Sequence, residues 1–129
     1  MGDLGFTIVG IGGAGGKIVN AVAEQNDGHI KAFAIDTDFS AISRLNRCQQ
    51  KRIGATRFDG AGSGGDRNGA GMAADETQDL ASVFDGSRIA IIVAGIGKGT
   101  GSGVLPKVLA KASDRNVATI VFMVAPFLF

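Results

Sequence analysis

A chain of 129 residues with 13 basic and 12 acidic side chains carries a net charge of +1, which argues against nucleic acid or an acidic membrane surface as its partner. It is sized for one domain with one core, and its 45% hydrophobic content fits a soluble α/β fold. No apolar run approaches the length of a bilayer span, so membrane insertion is not expected.

Met1-Gly2-Asp3-Leu4 lacks the regions of a signal peptide, and the single Cys48 excludes an internal disulfide, which suits a reducing cytoplasm. Gly5–Gly10 reads as a first strand, followed by the glycine loop Ile11-Gly12-Gly13-Ala14-Gly15-Gly16-Lys17. Ile18, Val19 and Val22 then open a helix that ends near the turn Asn26-Asp27-Gly28. The single His29, near that turn with no Cys or His beside it, reads as a surface residue rather than a metal ligand. Ala32-Phe33-Ala34-Ile35 makes a second strand, and Asp38 or Ser40 caps a helix carrying Ile42 and Leu45. A weak third strand lies around Lys51–Gly54, and after a long loop a helix runs from about Ala70 to Phe84. Ile89-Ala90-Ile91-Ile92-Val93-Ala94 has no polar side chain and reads as the central strand of a parallel sheet. A second tight glycine loop, Gly95 to Gly103, leads into a helix on which Val104, Leu105, Val108, Leu109 and Ala112 fall at helical spacing. Val117–Val124 is the last strand, stopped by Pro126.

Strands alternating with helices predict a three-layer, Rossmann-like parallel sheet of order 3-2-1-4-5, with helices on both faces. The crevice then lies between the first and fourth strands, with both tight glycine loops at their carboxyl ends. A strand, a glycine turn and a helix N-terminus aim backbone N–H groups at an anion, and here two such devices flank one crevice.

Three nucleotide motifs compete for these loops. A Walker A loop is excluded, because Gly16-Lys17 is followed by Ile18 and Gly97-Lys98 by Gly99, where the motif needs Ser or Thr. A dinucleotide fingerprint fits Gly10-Ile11-Gly12-Gly13-Ala14-Gly15 with Asp36 beyond it, which makes an NAD(P)-dependent oxidoreductase the main alternative. That reading leaves the other glycine loops unexplained.

The third reading is a resemblance. Gly10 to Gly16, Ala34-Ile35-Asp36-Thr37-Asp38, Gly60-Ala61-Gly62 and Ala94 to Gly103 occur in the order and spacing of the tubulin/FtsZ GTPase superfamily. Gly99-Thr100-Gly101-Ser102-Gly103 resembles the tubulin signature loop. Thr56-Arg57, Ala73-Ala74-Asp75-Glu76 and Pro126-Phe127-Leu128-Phe129 resemble the FtsZ branch in particular. The resemblance implies a GTP/GDP-binding domain, with Mg²⁺ as a companion ion. It assigns nucleotide contact to Gly12, Gly13, Ala14, Gly15, Gly16 and Lys17 in the first loop, and to Gly60, Ala61 and Gly62 in the loop that senses the γ-phosphate. In the signature loop it assigns Gly95, Gly97, Lys98, Gly99, Thr100, Gly101 and Ser102. Asp36 and Asp38 offer carboxylates to ribose hydroxyls or a Mg²⁺ hydration shell, and equally a turn and a helix cap.

Two departures stand out: Lys17 replaces the Asn that touches guanine in the FtsZ pattern, and Lys98 replaces a glycine, where a cation meets either phosphate or solvent. The resemblance further implies that residues 1–129 form the nucleotide-binding domain without the central helix or the C-terminal activation domain. The acidic loop that completes hydrolysis in the next subunit is absent too, so no catalytic residue is expected in this chain. The expected partners are further copies in a filament, or a missing C-terminal half. A non-catalytic assembly module remains a further alternative.

Overall fold

The structure, a computed structural model, describes residues 5–26, 30–53, 80–95 and 99–125, with the backbone alone over 99–102. Strand β1 (Phe6–Ile11) runs straight into helix α1 (Gly12–Gln25), followed by β2 (Lys31–Asp36), α2 (Phe39–Ser43) and β3 (Gln49–Arg52). A short 3₁₀ turn over Leu80–Phe84 precedes β4 (Ile89–Gly95), α3 (Gly99–Asp114) and β5 (Ala118–Val124). All four strand pairings are parallel and the order is β3-β2-β1-β4-β5, as the alternation of strand and helix predicts.

Side chains alternate across the sheet, so each strand feeds two cores. Val9, Ile11, Phe33, Ile35, Ala90, Ile92 and Ala94 face one side, where they pack with Val104, Leu105 and Val108 of α3 and with Leu80, Val83 and Phe84. Ile8, Ala32 and Val93 face the other side, against Val19 and Ala23 of α1. Ala34, Ile42 and Leu45 add a small cluster under α2. With α1 and α2 on one face and α3 on the opposite one, the winding reverses between β1 and β4.

Four expectations shift. The helix expected to open at Ile18 begins at Gly12, and the helix expected after Gly103 begins at Gly99. Most of each glycine run is therefore the first turn or more of a helix rather than a loop. The physical reason is that Gly12, at φ 78°, turns the chain at once, after which small residues let the helix lie directly on the sheet. The third strand sits at Gln49–Arg52, two residues earlier than expected. Of the helix expected over 70–84, only 80–84 lie among the described residues, and they form a 3₁₀ turn. Among the described residues no helix is long and apolar enough to cross a membrane.

β3 and β5 form the two edges. β3 carries Lys51 and Arg52, whereas β5 is uncharged and leaves Ile120, Phe122, Met123 and Val124 exposed.

Candidate functional site

Parallel register brings the two glycine segments together. Ile11 pairs with Ala94, so the chain leaves β1 at Gly12 and β4 at Gly95 side by side. A Cβ built on Gly95 would stand 3.4 Å from the Ala14 Cβ, which places the end of β4 against the first turn of α1. The carboxyl ends of β1 and β4, at the switch point of the sheet, thus share one crevice floor.

The start of α1 has no side-chain cap. Its N-cap position is Ile11, which makes no capping hydrogen bond, and neither α1 nor α3 carries an acidic residue in its first turn. The leading N–H groups of a helix need an acceptor, and the usual Ser, Thr, Asp or Asn is missing. An anion would supply that acceptor and meet the positive pole of the helix dipole.

The glycines divide into two physical classes. Gly13 is exposed, and a Cβ there would meet nothing within 4 Å. Ala14 and Lys17 are exposed beside it. Gly15 and Gly16, by contrast, are buried. A Cβ on Gly15 would lie 2.3 Å from the Val93 carbonyl oxygen, and one on Gly16 would lie 3.0 Å from Leu45 Cδ1. Gly10 is equally tight, 2.3 Å from the Gly15 carbonyl oxygen. These glycines give the clearance that seats α1 on β1, β2 and β4, so only part of the first glycine run presents itself to a ligand.

Asp36 and Asp38 are engaged inside the β2–α2 turn. Asp36 is only 3% exposed, and its Oδ1 accepts the Asp38 N–H at 3.2 Å. Asp38 is the N-cap of α2: its Oδ1 accepts from Ser40 N at 3.1 Å, Ala41 N at 3.2 Å and Ser40 Oγ at 3.1 Å. Of the two expectations for Asp38, the cap is therefore realised. Of the remaining candidates, Gly60, Ala61, Gly62, Gly97 and Lys98 lie outside the described residues. Gly99, Thr100, Gly101 and Ser102 form the backbone of the first turn of α3.

Two contacts were not foreseen from the sequence. Arg52 stacks over Phe39 at 5.3 Å, forming a rim beyond Asp36. Asn20 Oδ1 accepts the Arg47 N–H at 2.8 Å and the Cys48 thiol at 3.6 Å, tying α1 to the turn before β3. Neither has a local sequence signal, since each depends on a partner brought close by the fold.

The profile of the Tubulin/FtsZ family, GTPase domain, matches residues 6–129. The chain belongs to the tubulin/FtsZ family. It is 33% identical over 123 residues to the cell division protein FtsZ of Buchnera aphidicola subsp. Schizaphis graminum, covering 95% of this chain and 32% of that protein. With FtsZ of Wigglesworthia glossinidia brevipalpis it shares 31% over 128 residues, covering 98% of this chain and 33% of the relative. Among solved structures, an empty FtsZ dimer from M. jannaschii superposes with a TM-score of 0.89 at 28% identity, over 95% of this chain and 36% of the other. A GTPγS-bound protofilament of CetZ2 from Haloferax volcanii gives 0.80 at 28% identity, over 92% and 39%. The chain thus spans about a third of the length of the FtsZ relatives it matches. Its sheet order and crevice are those of a tubulin/FtsZ-type Rossmann-like fold.

Proposed function

We propose that the chain is the GTP-binding part of an FtsZ/tubulin-like GTPase that polymerises head to tail. Hydrolysis would be completed by an acidic loop lying outside these 129 residues. The observation that carries this reading is the uncapped start of α1 placed against Gly95 at the β1–β4 switch point, in a chain of the tubulin/FtsZ family. Solved relatives include a GTPγS-bound protofilament, which supports a filament-forming nucleotide binder.

In this scheme the amides of Gly12, Gly13 and Ala14 cradle the phosphates from one side. The turn entering α3, with the Thr100 and Ser102 hydroxyls, cradles them from the other. Gly15 and Gly16 act by letting α1 sit low enough for its amides to reach the ligand. Mg²⁺, when bound, would neutralise phosphate charge, with Gly60–Gly62 near the γ-phosphate. Asp36 also weighs against the dinucleotide alternative. A ribose-binding acid at the end of β2 has to face the ligand, whereas this carboxylate is buried in its own turn.

An amide-resolved NMR titration of the 129-residue chain with GTP and with NAD, carried into the millimolar range, tests the proposal. GTP is expected to bind weakly and shift the amides of Gly13, Ala14 and the first turn of α3, while NAD leaves them in place and turnover is negligible. Amides that stay put at millimolar GTP would favour the non-catalytic assembly module. Robust GTP turnover by this chain, lost on Thr100→Ala, would overturn the assignment of catalysis to an outside loop.

A further inference from the structure

Lys17 is the only cation on α1, and as the sixth residue it lies one turn beyond the uncapped start of the helix. It is exposed, and among the described residues it has no hydrogen-bond or ion-pair partner. On a helix it follows Gly13 by four residues and Ala14 by three, so all three share one ridge. Helical side chains lean back over the preceding turn, toward the N-terminus. Four residues amount to about 6 Å along the axis, within reach of a lysine's four-carbon stem. The missing side chain at Gly13 leaves open space at that end of the ridge. A cation leaning over the positive pole of its own helix repels it, unless an anion sits between the two.

We propose that Lys17 is a phosphate ligand of the crevice, and that it moves recognition away from the base and onto the polyphosphate. This rests on reading the crevice as the nucleotide site, and it adds which part of the nucleotide is recognised. An ammonium donates hydrogen bonds and accepts none, so it suits phosphate oxygens and reads a base edge poorly. Inorganic tripolyphosphate, which has no base, should then bind the same amides as GTP, and both should weaken as salt rises.

The test is an amide-resolved titration of the 129-residue chain, and of its Lys17→Met and Lys17→Arg variants, with tripolyphosphate and with GTP. The spectra also report whether each variant is folded. Tripolyphosphate is expected to shift Gly13 and Ala14. Lys17→Met should weaken both ligands about tenfold, while Lys17→Arg keeps most of the affinity. If Lys17→Met weakens GTP but not tripolyphosphate, the lysine reads the base and the inference is overturned while the site stands. If neither ligand weakens, the side chain serves solvent only and the inference falls. If wild-type amides respond to neither ligand, the nucleotide reading fails and takes this inference with it.

Discussion

Gly15 and the Val93 carbonyl oxygen are packed so closely that a single methyl group at residue 15 would sit 2.3 Å from that oxygen. The contact joins α1 to β4 across the switch point, and the opposing atom is backbone, which cannot rotate away. Gly15→Ala should therefore lift the start of α1, at a cost of roughly 1–3 kcal/mol from overpacking. That outweighs the gain of up to about 1 kcal/mol that alanine brings to a helix. Gly13→Ala meets open space and should be neutral or stabilising by a few tenths of a kcal/mol, roughly. Urea unfolding of the two variants checks the contrast, and equal destabilisation would refute the division into packing and presenting glycines.

The Asp38 carboxylate accepts from the Ser40 and Ala41 amides of α2 and from the Ser40 hydroxyl. Asp38→Ala should cost about 0.5–2 kcal/mol, the usual range for a lost N-cap, and Asp38→Asn much less. A drop of similar size in both variants would mean that charge, and not the acceptor oxygen, is what the turn requires.

Phe84 and Phe122 give a contrasting pair, one inside the core and one on an edge strand. Phe84 is 1% exposed inside the larger core, whereas Phe122 is 56% exposed on β5. Phe84→Ala should lose about 3–5 kcal/mol, approaching the whole stability of a small domain. Phe122→Thr exchanges an exposed aromatic for a β-branched residue that also suits a strand, and should stay within about 0.5 kcal/mol of the parent. Thermal melts of the two variants would separate them by many degrees.

Burial pushes the Cys48 thiol above its ordinary 9.0. The folded chain then holds this proton more tightly than the unfolded chain does. The stability from this group is complete below the unfolded value and is lost as pH rises through the raised folded value. Stability should fall on going above about pH 9, and Cys48→Ala should make that fall shallower. Alkylation of Cys48 near neutral pH should also run slower in the native chain than in urea, because the thiolate is the reactive form.

Much of the fold was legible because burial leaves a plain trace in sequence. Ile89–Ala94 and Ala32–Ile35 are apolar runs that suit a doubly covered parallel strand, and the breaks between them fix the order of units. The β3 edge was harder, since Gln49–Arg52 is polar and pairs with β2 on one side alone. The glycine segments were read correctly as to place and only partly as to use. Glycine serves equally to bare an amide and to clear space for a neighbour, and nothing local distinguishes the two. Gly13 and Gly15 differ only in what lies opposite them, and that is set by Val93, nearly eighty positions away. Asp36 and Asp38 were ambiguous for a related reason. A capping carboxylate and a ligand-binding one look identical until their donors are known.

No residue separates the last pairing of β1 from the opening of α1, since Ile11 is both the end of the strand and the helix's cap position. Such a junction has no slack to absorb extra chain. An insertion or a circular permutation opened between Ile11 and Gly12 would unseat strand and helix at once.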